Sequence, residues 1–155
     1  MNIPFSPPDI TEEEIEAVAE VMRSGWITTG PKTKELERKM AEFTHTNRGV
    51  CLNSATSCME MALRLFEIGP GDEVIVPAYT YTASASVVCH VGATLRLVDV
   101  EKGTFHIDYA AVESMINENT KAIIPVDLGG VMVDYDRIRA IVESKKSLFR
   151  PSSKM

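Results

Sequence analysis

Glu73-Val74-Ile75-Val76-Pro77, followed by Ala78-Tyr79-Thr80-Tyr81, the segment Thr82 to Val91, Gly92 and Thr94-Leu95-Arg96-Leu97-Val98-Asp99-Val100, is the stretch that decides the fold class. The first run is a short apolar segment bounded by turn residues and reads as a strand. Thr82 to Val91 reads as a helix with Gly92 as its C-cap, and Thr94 to Val100 as the next strand. Strand, helix, strand at this spacing is a βαβ unit, which requires a parallel pair.

The alternation continues outward. Asp108 caps a helix running through Met115 and Ile116, Lys121 to Asp127 is a further strand, Gly129-Gly130 a turn, and Tyr135 to Ser144 a last helix. Upstream, a short strand around Val50 to Leu52 feeds the turn Asn53–Ser57. The helix after it carries Met59, Ala62, Leu63 and Phe66 and ends at Gly69-Pro70-Gly71-Asp72. Another helix is expected from Lys32 to Phe43, with Leu36, Met40 and Phe43 inward. Thr11-Glu12-Glu13-Glu14 is a capping box, followed by Ile15, Val18, Ala19 and Met22 on one stripe and a stop near Ser24-Gly25. The sum is an α/β protein with a mainly parallel sheet of four strands and flanking helices. Ser147 to Met155 shows no element pattern; with the open edge of such a sheet, it leads to the expectation that the chain continues further.

Composition removes several function classes. The 155 residues are 45% hydrophobic and 25% charged, with 16 basic and 22 acidic residues and a net charge of −6. No basic cluster interleaves with aromatics, so a nucleic-acid partner is not expected, nor is a membrane span or a secretion signal. Cys51, Cys58 and Cys89 read as small buried hydrophobes in a reducing, cytoplasmic setting. His45, His90 and His106 lack metal-ligand spacing, so no metal site is expected. His90 lies on a mostly apolar helix and reads as a satisfied core histidine.

In parallel sheets ligands sit at the carboxyl ends of strands. Three such ends carry polar or turn residues: Asn53–Ser57, Ala78–Tyr81 and Asp127–Gly130. In the first, an apolar run from Arg48 breaks into Asn53-Ser54-Ala55-Thr56-Ser57 and continues as a helix. That order offers free N–H groups, a positive dipole end and hydroxyls to an anion. The same residues also suit simple N-capping, with Ser57 as the cap.

Together, Ser24-Gly25-Trp26-Ile27-Thr28-Thr29-Gly30-Pro31, Asn53–Ser57, Ile68-Gly69-Pro70-Gly71-Asp72-Glu73-Val74-Ile75 and Thr120-Lys121-Ala122-Ile123-Ile124-Pro125-Val126 resemble the DegT-type aminotransferases in order and spacing. The resemblance covers roughly residues 4–141. It implies the fold of pyridoxal-phosphate enzymes, here part of the large domain of the aspartate-aminotransferase-like architecture. The implied division is an N-terminal helix and active-site or interface segment (1–31), a partial cofactor-binding domain (32–146) and an unpatterned tail (147–155).

The implied activity is amino transfer from an amino acid, commonly glutamate, to a nucleotide-linked keto-sugar by a cytoplasmic homodimer. Ala55, Thr56 and Ser57 would hold the cofactor phosphate, and Tyr81 would stack on its pyridine ring; Tyr79 is read as structural. Trp26, Thr28 and Thr29 would contact the sugar nucleotide, although Trp26 equally suits anchoring its loop in the core. Asp127 departs from the family's Pro-Val-His pattern and reads as a turn-forming carboxylate at the Gly-Gly bend.

No catalytic residue is assigned. The family's Schiff-base lysine and its acid for the pyridine nitrogen match positions beyond Met155. Lys32, Lys34 and Lys39 belong to a solvated helix face, Lys121 opens a strand, and Lys145 and Lys146 end a polar helix. Two other readings stay open: a shortened aminotransferase-like interaction or regulatory protein, and a phosphate-binding α/β module without pyridoxal chemistry. Solvated lysines near their ordinary pKa are poor nucleophiles. Borohydride reduction of the chain mixed with pyridoxal phosphate should therefore leave no single lysine stoichiometrically labelled, as peptide mass mapping would show.

Overall fold

The computed structural model describes residues 3–4 and 6–152. Residues 1, 2, 5 and 153–155, which belong to the expected segments 1–31 and 147–155, lie outside the described residues. The chain divides into two compact units, Met1–Cys51 and Leu52–Met155.

The first unit is built from two helices. The helix α1 (Glu12–Ser24) begins with the expected capping box, in which Thr11 accepts from Glu13 N–H and donates its own N–H to Glu14 at 2.7 Å. Gly25 closes the helix in the left-handed region at φ 73°, where glycine carries no Cβ penalty. Helix α2 (Pro31–Phe43) starts with proline at its first position, where the missing N–H costs nothing.

Two expectations for this region are corrected. Leu36, Met40 and Phe43 do not point into a core but are exposed, as are Ile15, Val18 and Met22. Gly30 and Ala41 are the only buried residues among those described in this unit, because two helices hold too little chain to enclose apolar faces. The strand at Val50–Leu52 does not form. Cys51 N–H donates to the Glu37 carboxylate at 2.9 Å instead of to a ladder, and Val50 is exposed.

In the second unit, β1 (Glu73–Pro77) lies between β2 (Thr94–Val98) and β3 (Thr120–Ile123), in the order β2-β1-β3 with both pairings parallel. The sheet thus has three strands among the described residues, not four. Pairing to β2 runs unbroken from Glu73 opposite Thr94 to Pro77 opposite Val98; pairing to β3 shifts between Glu73 and Val74. The strand expected to reach Asp127 stops at Ile123, where Ile124 N–H still reaches Ile75 O at 2.9 Å and Pro125 then has no N–H to give. The expected reach of β2 to Val100 is also shortened, Val100 forming an isolated antiparallel bridge to Ile107.

Side-chain alternation divides the core between the two faces of β1. Val74 and Val76 face a cluster with Leu63 of α3 (Ala55–Leu65) and Val87 and Val88 of α4 (Thr82–His90). Ile75 faces the other cluster, with Val112 of α5 (Tyr109–Met115) and Ile138 and Ile141 of α6 (Tyr135–Ser144). The turn before β1 is closed by Asp72, buried and accepting Gly69 N–H at 3.0 Å. Gly92, at φ 77°, packs beside this turn, and a Cβ there would meet Pro70 Cγ at 3.2 Å.

Other readings change. Cys58 and Cys89 are exposed and Cys51 only half-buried, since Leu63, Val87 and Val88 fill the inward positions of their helices. His90 is no core residue. It is exposed at the end of α4, with Nδ1 2.9 Å from Glu60 Oε2. The tail is less featureless than expected: Lys146–Leu148 forms a 3₁₀ turn, and buried Ser152 donates to Glu67 O at 2.9 Å. That contact joins residues 85 apart and leaves no periodic signal.

Truncating the centre of β1 should be severe. Ile75→Ala is expected to lower stability by about 2–5 kcal/mol, whereas Phe43→Ala, at a position 82% exposed, should leave the urea midpoint nearly unchanged; equilibrium denaturation followed by circular dichroism measures both.

Candidate functional site

The carboxyl edge of β1 leads directly into α4. Ala78 N–H donates to Val98 O at 2.7 Å, which fixes the start of the 78–81 loop against β2. Tyr81 is the N-cap of α4 without a side-chain cap bond, and its ring is 80% exposed. Thr80 and buried Ser84 share a hydroxyl–hydroxyl bond of 3.0 Å across the helix start.

Helix α3 brings a second N-terminus to the same edge. Its C-terminal half is tied to the end of α4 by Glu60–His90 and by Arg64, which donates to His90 O at 3.5 Å. Helices joined near their ends and packed side by side run in one sense, so both begin at the carboxyl side of the sheet. Arg64 first, and His90 second, hold the Glu60 carboxyl below its ordinary pKa.

The N-cap of α3 is Ser54, not Ser57. Ser54 Oγ accepts Ser57 N–H at 3.1 Å and donates to Ser57 Oγ at 3.0 Å. The backbone N–H groups of Ala55 and Thr56 have no acceptor among the described residues, nor have those of Thr82 and Ala83 in α4. Two helix starts with unsatisfied donors and aligned dipoles make this edge electropositive without a basic side chain. An orphaned pair of N–H groups beside the Thr56 hydroxyl and an exposed tyrosine fits a phosphorylated aromatic ring: the donors suit the phosphate, the phenol face the ring.

Asp127 lies beyond the carboxyl end of β3. Its two oxygens accept from Val133 N–H and Tyr135 OH, each at 2.9 Å, while its carbonyl accepts Gly130 N–H at 3.1 Å. Gly129 and Gly130 both have positive φ, 63° and 80°. The backbone carbonyl thus closes the Gly-Gly bend and the side chain pins the loop after it. Burial first, then the bond to Asp127, raises the Tyr135 pKa.

Trp26, Thr28 and Thr29 all lie in the first unit and are exposed. Trp26 does not anchor in a core. Its indole N–H donates to Thr29 O at 3.1 Å and its ring covers Gly30, where an added Cβ would clash with the indole. Of the other residues, Ala55–Ser57 form the first turn of α3 and Tyr81 is the N-cap of α4, while Tyr79 stacks on Phe105 with centroids 5.1 Å apart.

Sequence reasoning passed over Ser54, whose spacing of three to Ser57 is a legible cap signal. It also passed over Phe105, which no local pattern links to Tyr79. Among the described residues four lysines pair with carboxylates: Lys32 with Glu20, Lys39 with Glu35, Lys145 with Glu113 and Lys146 with Glu143. Lys121 lies over the Phe149 ring at the amino end of β3. Lys102, which carries no motif, is exposed in the loop after β2 on the carboxyl side.

A three-stranded parallel sheet sandwiched by helices is part of the aspartate-aminotransferase-like fold, the architecture of the solved structures it matches. Residues 8–149 match the DegT/DnrJ/EryC1/StrS aminotransferase family, and the chain belongs to that family. It is similar over 99% of its length, at 60% identity and a TM-score of 0.95, to Spr1654 of Streptococcus pneumoniae, described as a sugar aminotransferase and solved in a PLP form. It also resembles DesV of S. venezuelae, solved with a ketimine intermediate (36% identity, 87% of this chain, TM-score 0.82). An aminotransferase from Psychrobacter cryohalolentis matches at 34% identity over 92% of this chain, TM-score 0.85. The chain spans 39%, 36% and 37% of these proteins' lengths.

The Asp127–Tyr135 bond sets a sign on alkaline behaviour. With its folded pKa above the ordinary 10.0, the bond contributes stability fully present below pH 10 and lost as pH rises through the raised value. Spectrophotometric titration of the chain beside its Tyr135→Phe variant should assign to Tyr135 a step above the ordinary tyrosine value. Asp127→Ala should bring that step part of the way back, leaving the share due to burial.

Proposed function

We propose that this chain is the cofactor-phosphate and ring-stacking portion of a pyridoxal-phosphate-dependent aminotransferase that acts on a nucleotide-linked keto-sugar with an amino-acid donor. The observation that carries the reading is the pair of unsatisfied helix N-termini beside exposed Tyr81 at the carboxyl edge of β1. The family match, and relatives solved in PLP and PMP forms, agree with it.

In this reading the Ala55 and Thr56 N–H groups and the Thr56 and Ser57 hydroxyls bind the phosphate dianion. Ser54 holds the first turn of α3 in place, so the donors are ordered before the ligand arrives. Tyr81 lies flat against the pyridine ring by offset stacking and leaves the reactive edge open. Bound pyridoxal phosphate would supply the electron sink that makes amino transfer possible. Trp26, Thr28 and Thr29 contact the sugar nucleotide from the segment 1–31, residues 32–146 form the cofactor domain, and 147–155 are the tail. The assembly is a cytoplasmic homodimer in polysaccharide or amino-sugar biosynthesis, with no nucleic-acid or membrane partner. No described helix is long and apolar enough to cross a membrane.

The discriminating measurement is competition. Equilibrium titration of the chain should give tighter binding for pyridoxal phosphate than for either inorganic phosphate or pyridoxal, because a cup with a stacking face gains from both halves of the ligand. Equal affinity for pyridoxal phosphate and inorganic phosphate would identify a plain anion site and overturn the reading.

A further inference from the structure

We propose that Phe105 is a positioning residue for the cofactor ring, acting through Tyr79 on the loop that carries Tyr81. The inference rests on the reading of Tyr81 given above and adds to it a residue that no local motif marks.

Tyr79 and Phe105 are stacked at 5.1 Å with their planes 20° apart, yet both remain more than half exposed. Neither ring fills a core position, so the contact acts on the segments that carry it. Tyr79 stands two residues before Tyr81 in a loop whose start is fixed by Ala78 N–H to Val98 O and whose end is fixed by the Thr80–Ser84 hydroxyl bond. Between these points, the Tyr79 ring is the loop's contact with the neighbouring segment.

Phe105 stands in a loop that is itself held. Val100 bridges Ile107, Glu101 N–H donates to His106 O at 2.9 Å, and Thr104 N–H donates to Glu101 O at 3.0 Å. The Glu101 carboxylate also pairs with Arg137 of α6 at 3.3 Å, and Arg137 lies over the Tyr109 ring at 4.2 Å. Rigidity therefore passes from α6 through Arg137 and Glu101 to Phe105, and from its ring to the backbone that aims Tyr81. Loss of the stack loosens the loop between its two anchors and adds the cost of ordering Tyr81 to ligand binding.

The test is a two-by-two cycle on the full chain, with pyridoxal phosphate as probe and binding read by fluorescence quenching and by induced circular dichroism of the cofactor band. Tyr81→Ala and Phe105→Ala should each weaken binding about three- to ten-fold, the change one stacked pair makes. Phe105→Tyr should restore it, and Phe105→Ala should add nothing once Tyr81 is alanine. Unchanged affinity in Phe105→Ala, or an equal loss in the Tyr81→Ala background, overturns the positioning role while leaving the site intact. No effect of Tyr81→Ala, or no binding at all, instead removes the reading of the site and the inference with it.

Discussion

Burial of Val74, Ile75 and Val76 at the centre of β1 is the constraint on which the second unit depends. Val74, Ile75 and Val76 are fully excluded from solvent, and strands flank β1 on both sides. Three adjacent side chains must therefore be covered on opposite faces, which demands a helical layer on each. Leu63, Val87 and Val88 supply one layer, and Val112, Ile138 and Ile141 the other. Burial on this scale contributes about 1.5–3 kcal/mol per large aliphatic side chain, and it also fixes direction. Parallel strands need helical crossovers, so α4 must start where β1 ends.

The chemistry of the edge follows from that direction. Each helix that begins there presents donors it cannot satisfy internally. Ser54 occupies one of them, Ser57 N–H, and orders the turn; the N–H groups of Ala55 and Thr56 are left without an acceptor among the described residues. Tyr81 caps nothing with its side chain, and its ring stays available. Asp127 illustrates the opposite case. A carboxylate at a strand end reads as a candidate for chemistry, but both its oxygens are spent on Val133 and Tyr135. It holds a glycine-rich loop in shape.

Elements with their own start and stop signals are legible along the chain. The Thr11 capping box and the Asp108 cap lie where local chemistry puts them, because capping bonds reach only two or three residues, whereas the C-cap of α4 is Val91 and Gly92 follows it at φ 77°. The strand ends are less legible. Nothing local distinguishes Val50–Leu52 from β1; a strand exists only where another backbone completes its ladder, and Cys51 bonds to Glu37 instead. Apolar periodicity in α1 and α2 likewise marks faces able to be buried, not faces that are buried.

The amino-acid sequence by itself determined the alternation of strand and helix, the caps, the family resemblance and the small hydroxylated residues at the start of α3. These are properties of neighbours along the chain. Only the tertiary structure decided that α3 and α4 open at one edge, that His90 meets Glu60 in solvent and that Phe105 stacks on Tyr79. Those pairings join residues 26 to 30 apart or depend on which helix face is covered, and side-chain reach across such separations is set by the packed backbone rather than by any local pattern.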